Sequence, residues 1–377
     1  MEENVHGEIS SSSSLAHSIS ASVDLTRLSE PEAWWRDHQQ WLEERGYMLR
    51  PRYHPGWQPS WITDPQETKN QCEDMDPPIS SYILDAVRIW DNSLVVLKKV
   101  ISWRNPHEVK ISQYLSLEAL RSDPRNHSVH VLDVLGVPDD PDATIMVLPL
   151  LRACDNPHWQ TEGEVLSFVK QIFEGIQYMH ELHVAHRDCT VGNIMYDPRP
   201  MFPNMFHPRR PSRSLDYQFS PKHSTRTACP VRYFFIDFGL SRRYKSEGGP
   251  PRERPIRGGD KSVPEFETWN GELLDPFPTD IYYLGNVWLV TKHYRGMEFL
   301  APLVKDMVHP DPSQRPTIDD VVRRFDELLK HRRFWTLRSR SLPLDEETVV
   351  GWYRNTRHLF RTVCYVVTRK SAVPVPA

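Results

Sequence analysis

Residues 183–196 read HVAHRDCTVGNIMY. His186, Arg187 and Asp188 stand together, and Asn193 follows five residues after Asp188. The loop then enters the short apolar run Ile194–Tyr196, which reads as a strand. At this separation a carboxylate can accept a proton from a hydroxyl while an amide oxygen binds a hard divalent cation. Farther on, RYFFIDFGLS (232–241) is an apolar strand ending in Asp237, Phe238 and Gly239. A carboxylate at such a strand end can bind a metal that also holds phosphate oxygens. Either triplet alone is a weak signal. The two in this order, each beside an apolar strand, are a strong one.

Upstream, SYILDAVRIWD and SLVVLKKV are β-rich runs around the turn DNS. In the second, Lys98 is placed to hold phosphates, and Glu108 of PHEVKIS, on the following helix, can hold Lys98 as an ion pair. Lys99 is the rival, and alternation along a strand sends it to the opposite face. VHVLDVLGV and TIMVLPLL read as two further strands, and the remainder to about His331 is mostly helical, as in EVLSFVKQIFEGIQYMHELH, DIYYLGNVWLVTKHY and TIDDVVRRFDELLKH. PEAWWRDHQQWLEERGY reads as one helix with Trp34, Trp41 and Leu42 on one face, followed by an irregular Pro- and Trp-rich stretch.

Three more motifs follow in order: SVPEFE with Val263, Pro264 and Glu265, DIYYLG with Asp280 and Gly285, and HPDPSQRPT with Arg315. Together, across roughly residues 80–331, these features resemble the eukaryotic protein kinase superfamily. The flanks also resemble divergent kinase-like proteins of mushroom-forming fungi. The resemblance implies an α+β, two-lobed protein kinase-like fold, with a small β-rich lobe carrying one main helix and a larger, mostly helical lobe. The chain then divides into a disordered N-terminus (1–29), a Trp/Pro-rich extension (30–78), a kinase-like domain (79–331) and a basic tail (332–377). Within the domain the lobes cover 79–149 and 150–331, and the second contains an inserted loop, 197–230. ATP and Mg2+ are the implied cofactors, and a protein is the implied substrate. Asp188 would be the base, acting with Lys98, Arg187 and Asn193. Lys98, Glu108, Asp237 and Leu151 would serve nucleotide binding, Asn193 and Asp237 would be the metal ligands, and Glu265 would pair with Arg315.

The departures matter as much. Protein kinases cover the phosphates with a glycine-rich loop, yet PPISSYILDAVRIWDNSLVVLK (77–98) holds no glycine. Side chains there keep the backbone off a pyrophosphate, so a looser cover and weaker ATP binding are expected. Thr190 stands where serine/threonine kinases carry a lysine, and the tyrosine-kinase pattern is not matched either. The leading expectation is ATP- and magnesium-dependent phosphoryl transfer to protein hydroxyls, Ser/Thr rather than Tyr. The alternative is a pseudokinase that binds partners without chemistry. A small-molecule phosphotransferase is a third reading, against which Arg187 and the Glu265–Arg315 pair speak. The Pro- and Arg-rich stretch 197–230 reads as an exposed, irregular surface loop, and its His207, His223 and Cys229 lack zinc-ligand spacing. The tail helix VVGWYRNTRHLFRTVCYVV sets Val349, Tyr353, Phe360, Val363 and Val367 on one stripe with Arg354, Arg357 and Arg361 opposite, and is expected to pack on the domain, with a membrane surface as the alternative.

Composition bounds the rest. The 377 residues are 39% hydrophobic and 25% charged with net charge −4, a balance that points to neither nucleic acid nor a membrane surface. Five scattered cysteines suggest reduced thiols and an intracellular, cytoplasmic or nuclear setting. The acidic, serine-rich start lacks a secretory apolar core, and no apolar run reaches membrane-spanning length. Oligomeric state leaves no mark in the sequence.

Overall fold

The computed structural model describes residues 24–64, 68–78, 80–245, 247, 249–291, 296–341 and 348–376. Most of the stretch expected to be disordered lies outside these residues. The described chain is a mixed α+β structure in which a five-stranded antiparallel sheet is followed by a largely helical part.

The first helix is not continuous. Helix α1 (Glu30–Asp37) starts at Ser29, whose N–H donates to Glu32 at 3.0 Å, and ends at His38. Helix α2 (Gln39–Glu44) follows at once. Trp35 and Leu42 are buried, not Trp34, which stacks on His38 and lies 3.8 Å beneath the Lys99 ammonium. Gly46, at φ +87°, then turns the chain into strand β1 (Tyr47–Leu49), whose two ends are buried. This strand comes from a stretch that the sequence assigned to helix and irregular chain. Its signal, three residues long, is too short for periodicity to register.

Strand β1 pairs with β2 (Ile83–Arg88), and β2 pairs with β3 (Ser93–Ile101) through a turn where Asn92 takes φ 55°. The connection between β1 and β2, residues 50–82, carries the short helix α3 (Ser60–Thr63) and folds back on α1 through buried Arg52, which binds Glu32 at 2.7 Å and the Asp74 carbonyl at 2.8 Å. Helices α4 (Glu108–Leu115) and α5 (Glu118–Arg121) lead to β4 (Asp133–Gly136) and β5 (Ala143–Pro149), completing the order β1-β2-β3-β5-β4. Alternation divides β5 cleanly. Ile145 and Val147 join Trp35 and Leu42 in one apolar cluster, whereas Met146 and Leu148 join Ile111 and Leu115 of the other. Lys98 lies opposite Met146 in register and so faces the second cluster, while Lys99 points the other way, as the alternation requires.

Strand β6 (Arg152–Ala153) precedes helix α6 (Glu162–Glu181), capped by Thr161, whose hydroxyl accepts from the Glu164 N–H. Most of α6 is buried, and the rest of the helical part assembles around it. The pair β7 (Val184–Ala185) and β10 (Arg242–Arg243), and the three-stranded β6-β8-β9 with β8 (Ile194–Tyr196) and β9 (Tyr233–Phe235), bracket the loop of the opening motif. Helices α7 (Phe277–Thr291), α8 (Ala301–Met307), α9 (Ile318–Lys330) and α10 (Phe334–Leu337) follow.

The insertion between β8 and β9 is irregular, as expected, but it is not an exposed loop. Met201, Phe202, Phe206 and Tyr217 are buried, and the Arg152 guanidinium lies 4.5 Å and 4.3 Å from the Phe202 and Phe206 ring centres. Proline and arginine content predicted solvent exposure; the aromatic residues among them decided otherwise. Helix α11 (Thr348–Val367) packs on the domain, as expected, but not through its apolar stripe. Its polar side meets the domain, with Tyr365 bonded to Thr225 at 2.7 Å and His358 to the Arg338 carbonyl at 2.9 Å, and Phe360, Val363 and Val367 point to solvent. The facing surface offers hydroxyl and carbonyl groups, which suit the polar stripe. The Val349 and Tyr353 side chains lie outside the described residues. No helix among the described residues is long and apolar enough to cross a membrane.

Candidate active site

The loop 186–193 is held from beneath by one buried carboxylate. Asp280, on α7 and without exposed surface, accepts the His186 N–H at 2.8 Å and the Arg187 N–H at 2.7 Å, with the His180 ring at 3.0 Å. These contacts support Arg187 at φ 68°, a left-handed conformation that costs energy in a non-glycine residue. Arg187 then directs its guanidinium to Glu253 at 2.6 Å and to the Arg254 carbonyl at 2.9 Å. The packed thiol of Cys189 has no exposure, and burial raises its pKa well above the ordinary range, so it is not a reactive thiolate.

Asp188 emerges from this loop with both oxygens engaged. Asn193 Nδ2 donates to its Oδ2 and to its carbonyl, each at 2.9 Å, and the Gly259 N–H donates to Oδ1 at 2.7 Å. Partial burial raises the Asp188 pKa from its ordinary value, against the opposing Gly259 and Asn193 bonds. Asn193 Oδ1 is left without a partner among the described residues. The Ile236 N–H bonds the Asn193 carbonyl at 2.9 Å, which sets the end of β9, and hence Asp237, beside this loop.

Asp237 takes φ 61° and accepts from the Gly239 N–H at 3.2 Å and from Lys98 Nζ at 2.9 Å. Lys98 also forms an ion pair with Glu108 of α4, which is almost fully buried. Burial opposes the Lys98 charge, but the Glu108 and Asp237 carboxylates outweigh it and raise its pKa. Burial raises the Glu108 pKa despite Lys98; Asp237 is also penalised by burial, yet its bond to Lys98 holds it below the ordinary value.

Lys98, Leu151, Asn193 and Asp237 line one cavity of about 340 Å3, together with Val96 and Met195. Glu108 stands behind Lys98, Asp188 joins the cavity through Asn193, and Arg187 turns away from it. The predicted residues thus fall into one connected set, except that Arg187 braces the 253–254 segment. An Asp237 carboxylate about half exposed, beside a free amide oxygen, suits a hard cation that draws further oxygens from phosphates. No cluster of three or more metal-ligating side chains occurs among the described residues.

The chain is similar to protein kinases. It is 30% identical over 159 residues to human myosin light chain kinase family member 4, covering 41% of this chain and 30% of that protein. It is 26% identical over 201 residues to the dual specificity protein kinase zakA of Dictyostelium discoideum, covering 52% and 22%. Rat myosin light chain kinase 3 is 30% identical over 138 residues, covering 36% and 13%. The chain therefore spans less than a third of the length of each of these curated relatives. No protein-family model matches it.

The sequence did not single out Gly258 and Gly259. A Cβ built on Gly258 would stand 2.5 Å from Asp188 Oδ1 and 2.7 Å from the Tyr283 hydroxyl. Only a bare backbone fits there, and it brings the Gly259 N–H onto Asp188, near the position where Thr190 replaces a lysine. The double glycine in PIRGGDKS was the available signal, hidden among glycine, proline and arginine.

Proposed function

We propose that the chain is a protein kinase that transfers a phosphoryl group from ATP to a serine or threonine hydroxyl of a protein. The connection of Lys98, Glu108 and Asp237 on one side of the cavity to Asn193 and Asp188 on the other carries this reading. In it, the sheet with α4 is the small lobe, the helical part around α6 is the large lobe, and residues 79–331 are the kinase-like domain. Five scattered cysteines accord with an intracellular setting, cytoplasmic or nuclear.

ATP with magnesium supplies the transferable γ-phosphoryl group, and the Asp237 carboxylate and Asn193 amide oxygen are the residues that would hold the metal. Lys98, fixed by Glu108, orients phosphate oxygens. Leu151 and Met195 bound the base. Asp188 takes the proton of the substrate hydroxyl as its oxygen bonds phosphorus and the bond to the bridging oxygen breaks. The raised pKa of Asp188 makes it a stronger base than a solvated aspartate.

One observation favours a second reading, a pseudokinase. The 50–82 connection holds a single glycine, Gly56, with open space around it, so it offers no glycine-lined cover for phosphates. Paired variants separate the two. Asp188→Asn should keep Mg-ATP binding and lose about 10²–10⁴ in rate. Asp237→Asn should weaken magnesium-dependent binding itself. The measurements are phosphate incorporation from labelled ATP into a generic protein substrate and a nucleotide titration. ATP binding with no incorporation above the Asp188→Asn background would establish the pseudokinase instead.

A further inference from the structure

We propose that the insertion is part of the nucleotide site, and that the free end of the Arg209 guanidinium binds the phosphates of the bound nucleotide. This rests on the nucleotide-binding reading above and gives the 197–230 segment a task within it.

Pro208 and Arg209 line the same cavity as Lys98, Asn193 and Asp237, although they come from the long segment that joins the paired strands β8 and β9. Arg209 Nε donates to the Pro77 carbonyl. Its two Nη groups have no partner among the described residues. The nearby carboxylates each hold another group, although Asp85, which also lines the cavity, keeps its Oδ1 without a hydrogen-bond partner among the described residues. Asp76 takes Arg210 at 2.8 Å and the Tyr217 hydroxyl at 2.6 Å, and Asp85 pairs with Arg50 at 3.0 Å. Burial, with the Arg50 charge close by, lowers the Arg209 pKa and outweighs the opposing pull of the Asp76 and Asp85 carboxylates. Such a fork suits the oxygens of a phosphate.

The position is built rather than incidental. On one side of Arg209, His207 bonds Glu73 at 2.9 Å; on the other, Arg210 and Tyr217 bond Asp76. The insertion is tied in turn to β6, where Arg152 donates to the Pro211 carbonyl at 3.1 Å. The β1–β2 connection and the insertion therefore form one polar seam along the cavity wall, with Arg209 in the middle. A cation fixed here offsets a phosphate cover that glycines do not provide.

The test uses the full chain and Mg-ATP. Arg209→Gln and Arg209→Lys are titrated at low and high salt, and the melting temperature of each is taken without ligand. Losing a hydrogen bond to a charged group should weaken Mg-ATP by about 10- to 100-fold at low salt and flatten the salt dependence of binding. Arg209→Lys, which keeps the charge, should retain part of the affinity and all of the salt dependence. An unchanged affinity, or a loss equal at both salt concentrations and matched by a lower melting temperature, would reduce Arg209 to a clamp on Pro77. Should the unmutated chain fail to bind Mg-ATP at millimolar concentration, the nucleotide reading itself falls, a result visible before any variant is made.

Discussion

Arg315→Ala offers a test in which the cost can be worked from the contacts. The Arg315 side chain has no exposed surface, and Glu265 has 5%. The guanidinium binds Glu265 through two bonds, at 2.8 Å and 2.7 Å, and also donates to the His309 carbonyl at 2.8 Å and the Pro278 carbonyl at 3.0 Å. It lies 4.8 Å from the Tyr282 ring centre. Truncation leaves the Glu265 carboxylate buried with the Thr279 hydroxyl, at 2.9 Å, as its remaining side-chain partner. Breaking a buried pair in this way costs about 3–5 kcal/mol. At roughly 2–4 °C per kcal/mol for a domain of this size class, the melting temperature should fall by about 6–20 °C. Differential scanning fluorimetry measures it. The double variant Arg315→Met, Glu265→Leu removes both charges and should recover much of the loss, because the penalty lies in the orphaned charge more than in the missing attraction. A fall of less than about 2 °C in Arg315→Ala, against the several degrees that 3–5 kcal/mol implies, would refute the reasoning.

Replacing residues 199–228 with a short Gly/Ser linker should abolish cooperative melting or soluble expression. The four buried apolar or aromatic side chains of the insertion are worth about 6–12 kcal/mol as an upper bound, comparable with the whole stability of an ordinary domain, about 5–15 kcal/mol. A soluble deletion variant with an unchanged melting curve would show that this burial contributes little. Gly258→Ala should lower kcat by about 10- to 100-fold, the value of one hydrogen bond to a charged group, and leave Mg-ATP affinity intact, because neither Gly258 nor Asp188 lines the cavity. Steady-state kinetics at varied ATP decides it; an unaltered kcat would mean that the Gly259 N–H is dispensable.

What the sequence revealed of this site was whatever chain-local chemistry carries. Asp188 with Asn193, and Asp237 at the end of an apolar strand, are close in sequence to the strands that place them, and the structure brings Asn193 and Asp237 to one cavity with Asp188 bonded to Asn193 behind it. Lys98 was separable from Lys99 because a strand alternates with period two. Asp280 was recognisable as a motif residue, but its bonds from the His186 and Arg187 main chain were not, since backbone donors leave no trace in residue type. Strand β1 was missed because three residues after Gly46 carry no period. The insertion was misjudged for a related reason. Proline and arginine describe how its backbone runs, whereas the burial of Phe202 and Phe206 depends on Arg152 and on a surface far away in sequence.

The same distinction governs how the missing motifs are weighed. Two residue types expected of a kinase are absent here, a lysine at Thr190 and glycines before Lys98, and a motif count would take both as evidence against chemistry. Yet the carboxylate of Asp188 requires a donor, not a lysine, and the Gly259 main chain is one. A backbone N–H is kept by every substitution at its position except proline and carries no net charge, so its bond lowers the Asp188 pKa without the added Coulombic pull of an ammonium. The phosphate end of the cavity likewise requires positive charge and enclosure, and Arg209, walled in by the seam of residues 73–77 and 207–217, is positioned to offer both. A motif records one way of meeting a physical requirement. Whether this chain is a kinase or a pseudokinase therefore turns on measuring the requirements, the donor on Asp188 and the cation at Arg209, and not on the letters that usually meet them.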